Sequence, residues 1–133
     1  MKVKRVIINA DGASLGNPGP AAIGVTIRDE QGRLVASISR RIGRATNNQA
    51  EYRALIAALE KATRLGVKEA NIYLDSELVV KQINGKYRVR NPALKPLYHQ
   101  VKQLQSQLEG FTITHIPRQQ NIEAHHLAVL ALR

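Results

Sequence analysis

Residues 46–66 read TNNQAEYRALIAALEKATRLG, and here the hydrophobic period of the chain changes. Leu55, Leu59, Ala62 and Leu65 recur at helical spacing, Arg53, Glu60, Lys61 and Arg64 lie opposite, and Gly66 supplies a stop. Before this helix the chain reads as strand. Val3 to Ala10 is rich in β-branched residues and runs into Asp11-Gly12, which predicts a buried strand entering a turn. A glycine- and proline-rich loop, GASLGNPGPA (12–21), follows. Ala21–Arg28 and Arg33–Arg41 are predicted as two further strands joined by the turn DEQG (29–32), so the chain opens with an antiparallel meander.

Beyond Gly66 the two periods alternate. A short strand at Ala70–Leu74 precedes a short helix at Leu78–Ile83, which Asn84-Gly85 ends. Pro92 opens a longer helix, Ala93–Leu108, with Pro96 tolerable only in its first turn. Phe111–Ile116 alternates as a fifth strand, Pro117 ends it, and Asn121 is expected to cap a final helix. Three strands followed by alternating helices and strands predict an α/β sandwich around a mixed sheet.

A chain of 133 residues, 44% hydrophobic, suits one domain (1–133) with a buried core. Twenty Lys and Arg against ten Asp and Glu give a formal charge of +10, which favours a polyanionic partner, nucleic acid first, over a cationic one. From Leu78 to Leu108 there is no acidic residue, while Lys81, Lys86, Arg88, Arg90, Lys95 and Lys102 all fall there, the pattern of a phosphate-facing surface. No cysteine is present, which excludes disulfides and thiolate metal sites. The apolar stretch of MKVKRVIINA is too short for a signal peptide, and no run is long enough to span a membrane. The expectation is a soluble cytoplasmic protein.

Of three aspartates, Asp29 sits in a hairpin turn where Asp is ordinary. Asp11 and Asp75 each close an apolar strand, and if both strands are central, both side chains emerge at one sheet edge. Singly, each has a plainer account: Asp11 as an Asp-Gly turn, Asp75 as a helix N-cap before SELVV. Glu51 is harder to dismiss, because it lies one turn before Leu55 on the core-facing stripe, where a lone carboxylate is costly. A buried arginine would explain it. So would a metal ion shared by three carboxylates, and oxygen-only ligation suits magnesium, or manganese as a substitute.

Three segments in order, DGASLGNPGPA (11–21), TNNQAEYRAL (46–55) and LDSELVVKQINGKY (74–87), with a weaker fourth in PRQQNIEAHHLA (117–128), resemble ribonuclease H of type 1, in the short form without an extra hybrid-binding domain. The resemblance implies an α/β ribonuclease H-like fold, a five-stranded mixed sheet with helices on both faces. It implies cleavage of the RNA strand of RNA–DNA hybrids, leaving 5′-phosphate and 3′-hydroxyl ends, with two magnesium ions (Mg2+) per site and Mn2+ as substitute. By position, Asp11 would bridge the ions while Glu51 and Asp75 hold the one on the leaving-group side. Gly12, Ala13 and Ser14 would bring backbone to the RNA 2′-hydroxyls, Asn47, Asn48 and Gln49 would enter the minor groove, and Thr46 would lie near a DNA phosphate. Asn17 and Ser76 join the nucleic-acid contacts, and Lys86, Arg88 and Arg90 would hold the duplex backbone. The implied partner is the hybrid, met by a monomer with no membrane and no obligate protein partner.

In the fourth segment the family's aspartate, two residues before Leu-Ala, is replaced by His125. Neighbouring helix positions point about 100° apart, so only one of His125 and His126 can face the site. Ala124, Leu127, Ala128 and Ala131 mark the buried face with His125 beside it, and alignment with the family implies that His125 faces the carboxylates, with His126 at the surface or in packing. Histidine in place of aspartate removes a charge and a hard oxygen ligand, and imidazole suits manganese or zinc better than magnesium. His125 is thus read as a catalytic and metal-ligating candidate, with His125→Asp expected to improve magnesium-supported cleavage. The alternative is a weakly active or non-catalytic hybrid-binding module. A resolvase- or transposase-like nuclease is a third reading, less suited to the TNNQAEY block.

Overall fold

Val6, Ile8 and Ala10 are fully buried while Arg5 is exposed and Ile7 and Asn9 are half-buried, the two-residue alternation of a strand with one face on the core. The computed structural model describes residues 3–133. This first strand, β1 (Arg5–Ser14), is the middle of a five-stranded sheet in the order β3-β2-β1-β4-β5. β2 (Gly19–Arg28) pairs antiparallel with β1, and β3 (Leu34–Ala45) antiparallel with β2. β4 (Glu69–Leu74) lies parallel to β1, and β5 (Gly110–His115) parallel to β4. The mixed sheet expected from the order of elements is therefore present.

α1 (Asn47–Arg64) starts with a capping box, in which the Thr46 hydroxyl accepts the Gln49 N–H and the Gln49 side chain accepts the Thr46 N–H. It stops at Gly66, in the left-handed region at φ +77°, with Val67 N–H on Ala62 O and Gly66 N–H on Thr63 O. Ala54, Leu55, Ala58, Leu59 and Ala62 are fully buried, because the helix lies between the sheet and α3 (Lys95–Gln105). α2 (Glu77–Ile83) is tied to it by a buried hydrogen bond from the Tyr52 hydroxyl to Gln82 Oε1.

α4 (Ile122–Ala131) covers the other face. A Cβ on Gly24 would fall 2.6 Å from Ala128 N and closer still to Ala124 O, so only glycine in β2, against alanines in α4, allows this approach. Asp11 pairs with Gly24 and shares its face, while a Cβ on the next residue, Gly12, would meet Ala50 of α1. Positions 11 and 12 thus look toward opposite helices.

Four sequence expectations need correction. Asp11-Gly12 is not a turn: β1 continues through it to Ser14, and Gly12 is needed for the close packing of α1. β3 runs on to Ala45, past Arg41, because a bulge at Ile42-Gly43 breaks the alternation without ending the strand; as an edge strand it carries Arg40, Arg41 and Arg44. The helix expected at Ala93–Leu108 is shorter, Lys95–Gln105, because Asn91 Oδ1 accepts the Ala93 N–H and holds 91–94 in a turn. Asn121 precedes α4 but makes no side-chain cap, its amide being used elsewhere.

Candidate active site

Ala10 of β1 sits in register with Leu74 of β4, and both side chains are buried. The next residues are Asp11 and Asp75, so parallel pairing delivers two carboxylates to the same end of adjacent strands. Glu51 arrives from the second turn of α1, held there by the Gly12 N–H, which donates to Glu51 Oε1 at 2.6 Å. Oxygens of all three lie within 4.8 Å of one another. Asp11 is fully buried and Glu51 6% exposed, yet among the described residues Asp11 Oδ1 and Glu51 Oε2 have no hydrogen-bond partner. Buried acceptors are seldom left so.

Burial first, and then the charge of Asp11, hold the Glu51 carboxyl well above the ordinary range. Burial also raises Asp11, with the charge of Asp75 adding to it, against the neighbouring Glu51 carboxyl and the His125 contact, which pull it down. The plainer account of Asp75 is excluded, since the cap of α2 is Ser76, whose hydroxyl accepts the Val79 N–H at 3.3 Å. Asp75 instead accepts from Arg118 Nε at 2.7 Å. His125 Nδ1 is 2.7 Å from Asp11 Oδ2, and His125 Nε2 is 3.4 Å from an Arg118 terminal nitrogen. His125 therefore meets the cluster through a hydrogen bond to Asp11, outside the three-carboxylate group. His126, His99 and His115 are exposed.

A family model described as reverse transcriptase-like matches residues 9–131. The N-terminal RNase H domain of Rv2228c from Mycobacterium tuberculosis superposes with a TM-score of 0.94 at 44% identity, over 97% of this chain and 99% of that one. RNase H1 from Halobacterium salinarum gives 0.94 at 45% identity, over 96% and 97%. The chain belongs to the ribonuclease H family. LC11-RNase H1, solved in complex with an RNA/DNA hybrid, is another structural relative, with a TM-score of 0.90 at 41% identity over 95% of each chain. The chain spans only 34% of full-length Rv2228c and 64% of the Halobacterium salinarum ribonuclease HI sequence.

Relative to the ribonuclease H expectation, the remaining candidates divide. Asn17 Oδ1 accepts the Asn47 N–H at 3.0 Å, fastening the glycine loop to the start of α1, where Asn47 and Asn48 are exposed. Thr46 and Gln49 are engaged with each other in the capping box, which leaves Gln49 its amide N–H groups. Ser14 at the end of β1 donates to the carbonyls of Gly16 and Ala45, and Gly12 and Ala13 are half-buried beside it. Lys86, Arg88 and Arg90 are exposed and form no hydrogen bond or ion pair with the carboxylates. Lys86 and Arg88 line a separate cleft of about 630 Å³ with Lys95, Tyr87 and Tyr98.

Sequence reasoning missed three positioning residues. Asn121 is buried, donates to Ala10 O at 2.9 Å and accepts from Asn9 Nδ2 at 3.0 Å, pinning the start of α4 to β1 directly before Asp11. Asn9 was a visible signal, a lone polar residue within VIINA. Arg118 gave none, since one arginine among twenty basic residues is unremarkable until the fold brings it to Asp75.

The raised carboxyls have a sign. A Glu51 pKa higher in the folded chain than in the unfolded one stabilises the fold fully below the unfolded value of about 4.5, and that contribution is lost as pH rises through the folded value. In the presence of a chelator, the thermal midpoint should therefore carry a component that falls as pH rises from about 4.5. Magnesium at neutral pH should restore it, because an ion that binds only the folded cluster stabilises it. A midpoint indifferent to magnesium across neutral pH would contradict the site.

Proposed function

We propose that this chain is a metal-dependent endonuclease that hydrolyses the RNA strand of RNA–DNA hybrids. One observation carries the reading: two buried carboxylate oxygens, Asp11 Oδ1 and Glu51 Oε2, lack partners and converge with Asp75. An all-oxygen donor set with unspent lone pairs fits a hard divalent cation, magnesium or manganese. The family likeness supports the substrate, since LC11-RNase H1 has been solved with an RNA/DNA hybrid.

Asp11, Glu51 and Asp75 would hold the cation, which supplies a nucleophilic water and relief of charge on the phosphate. The reaction adds water across one bond: a water oxygen bonds to phosphorus, the P–O3′ bond breaks, and a water proton ends on the 3′-hydroxyl. Products are 5′-phosphate and 3′-hydroxyl ends. In this reading Gly12, Ala13 and Ser14 offer backbone to the RNA strand, the exposed Asn47 and Asn48 face the minor groove, and Asn17, Thr46, Gln49 and Ser76 shape that surface. We also propose that residues 1–133 fold as one domain that acts as a monomer in the cytoplasm.

The test is cleavage of an end-labelled hybrid with magnesium or manganese, beside the same RNA in a double-stranded RNA and the same sequence as duplex DNA. Cleavage confined to the hybrid and lost in Asp11→Asn is expected. Cleavage that survives Asp11→Asn would exclude this site. A second reading, a hybrid-binding module without chemistry, draws on the Arg118–Asp75 ion pair and on His125; binding with no cleavage under either metal would favour it.

The basic segment should govern affinity rather than rate. Changing Lys86, Arg88 and Arg90 together to Ala should weaken hybrid binding and flatten the plot of log affinity against log salt by roughly 0.7–0.9 for each phosphate that is no longer neutralised, with kcat nearly unchanged. An unchanged salt slope would place the duplex elsewhere.

A further inference from the structure

The resemblance carries two divalent ions over to a site with four acidic positions, but this chain brings together three carboxylates and an arginine. Arg118 opens the 3-10 turn at Arg118–Gln120, and its guanidinium touches both sides of the cluster: Nε on Asp75 Oδ2, a terminal nitrogen 3.4 Å from His125 Nε2. A guanidinium has donors and no acceptor, so its approach assigns Nε2 the acceptor role and puts the ring proton on Nδ1, which donates to Asp11 Oδ2. With both ring nitrogens so engaged, His125 directs no lone pair at the carboxylates.

The oxygens then sort into two sets. Asp11 Oδ2 and Asp75 Oδ2 are taken by His125 and Arg118. Asp11 Oδ1 and Glu51 Oε2, buried and unpartnered, remain with Asp75 for one cation. A second ion bridged by Asp11 would need the oxygen that His125 occupies. Charge is compatible, because with an ion bound three carboxylates against one guanidinium would leave two negative charges, which a single divalent ion neutralises. The Arg118 side chain is 59% exposed, so the rest of its fork opens outward, where a phosphate would arrive. The Asp75 carboxylate also holds the Arg118 charge firmly in place.

We propose that the Arg118 guanidinium stands in place of the second divalent ion: the site takes one ion among Asp11, Glu51 and Asp75, and Arg118 supplies the remaining positive charge to an oxygen of the scissile phosphate. This rests on the hydrolytic reading above. Arginine suits the task because it stays charged at every working pH and presents parallel donors that match phosphate.

Two measurements test it. Crystals of the chain with a hybrid whose RNA strand is blocked by 2′-O-methyl groups, soaked in manganese, should show one anomalous peak at the carboxylates. The variant carrying both His125→Asp and Arg118→Ala should show two, since it gains a fourth carboxylate and loses the guanidinium. Two peaks in the wild type, or one in the double variant, overturn the proposal. In kinetics, Arg118→Ala and Arg118→Gln should each lose about 100-fold in kcat, the scale of a missing charge-stabilising donor. Arg118 lies on an exposed turn, so both variants should fold, which their circular dichroism and thermal midpoints check. A fall of less than roughly tenfold in either variant also overturns it. Absence of cleavage by the wild type with any metal would instead remove the functional reading, and the peak count would still decide between one ion and two.

Discussion

Glu51→Gln should abolish hybrid cleavage and at the same time make the metal-free chain more stable. The wild-type site crowds two buried carboxylates whose Oδ1 and Oε2 have no partner, and burial resists ionisation of both. Glutamine keeps the carbonyl that accepts the Gly12 N–H. Its amide nitrogen replaces Oε2, beside Asp11, and can donate to Asp11 Oδ1, which has no partner in the wild type. One substitution thereby removes a charge and satisfies a buried acceptor, a gain on the order of 1–3 kcal/mol in the absence of metal at neutral pH. The gain should shrink toward acid pH, where protonation of Glu51 already does the same work. Cleavage should fall by about 10²–10³-fold or more, because the ion loses a charged ligand. Unfolding curves in chelator at several pH values, beside hybrid cleavage in magnesium, measure both effects. A variant less stable than the wild type at neutral pH would mean that the cluster is not strained as described.

Gly12→Ala should damage fold and activity together. A Cβ at position 12 would stand 2.5 Å from Glu51 N and closer to the Ala50 carbonyl, and all of these are backbone atoms of α1. No rotamer change relieves such a clash. Either the first turn of an 18-residue helix lifts from the sheet, or β1 bends at Asp11. Both lengthen the 2.6 Å hydrogen bond from Gly12 to Glu51 and shift Glu51 against Asp11. The expected destabilisation is about 3–5 kcal/mol, the upper range for single substitutions. Any folded protein that remains should cleave about 100-fold more slowly, since an ångström of misplacement has that scale. Thermal unfolding and cleavage rate check it, and a midpoint within roughly 2 °C of the wild type would show that the helix has room to move.

Gly12 also marks a boundary of what could be read without coordinates. As a letter beside Asp11 it signified a turn, because Asp-Gly pairs are common there. Its actual reason is a helix backbone contributed from nearly forty positions away. Gly24 was likewise silent, although it admits Ala124 and Ala128 of α4 to the sheet. The bulge at Ile42-Gly43 hid the last third of β3, since a bulge breaks the alternation on which strands are recognised.

Periodicity alone determined most of the architecture: residue spacing of two or near 3.6 is a local property, and it marked five strands, the long helix and the carboxylate on its core-facing stripe. The same local logic separated His125 from His126, and the family resemblance implied which of them meets the site. Only the tertiary structure decided which polar atoms pair. That Asp11 and Glu51 keep free oxygens while Asp75 takes Arg118, and that His125 meets Asp11, depends on strands and loops brought together across 43 and 114 positions of chain. Hydrogen bonds form between atoms close in space, and spacing in sequence carries no record of which distant groups will compete for one oxygen.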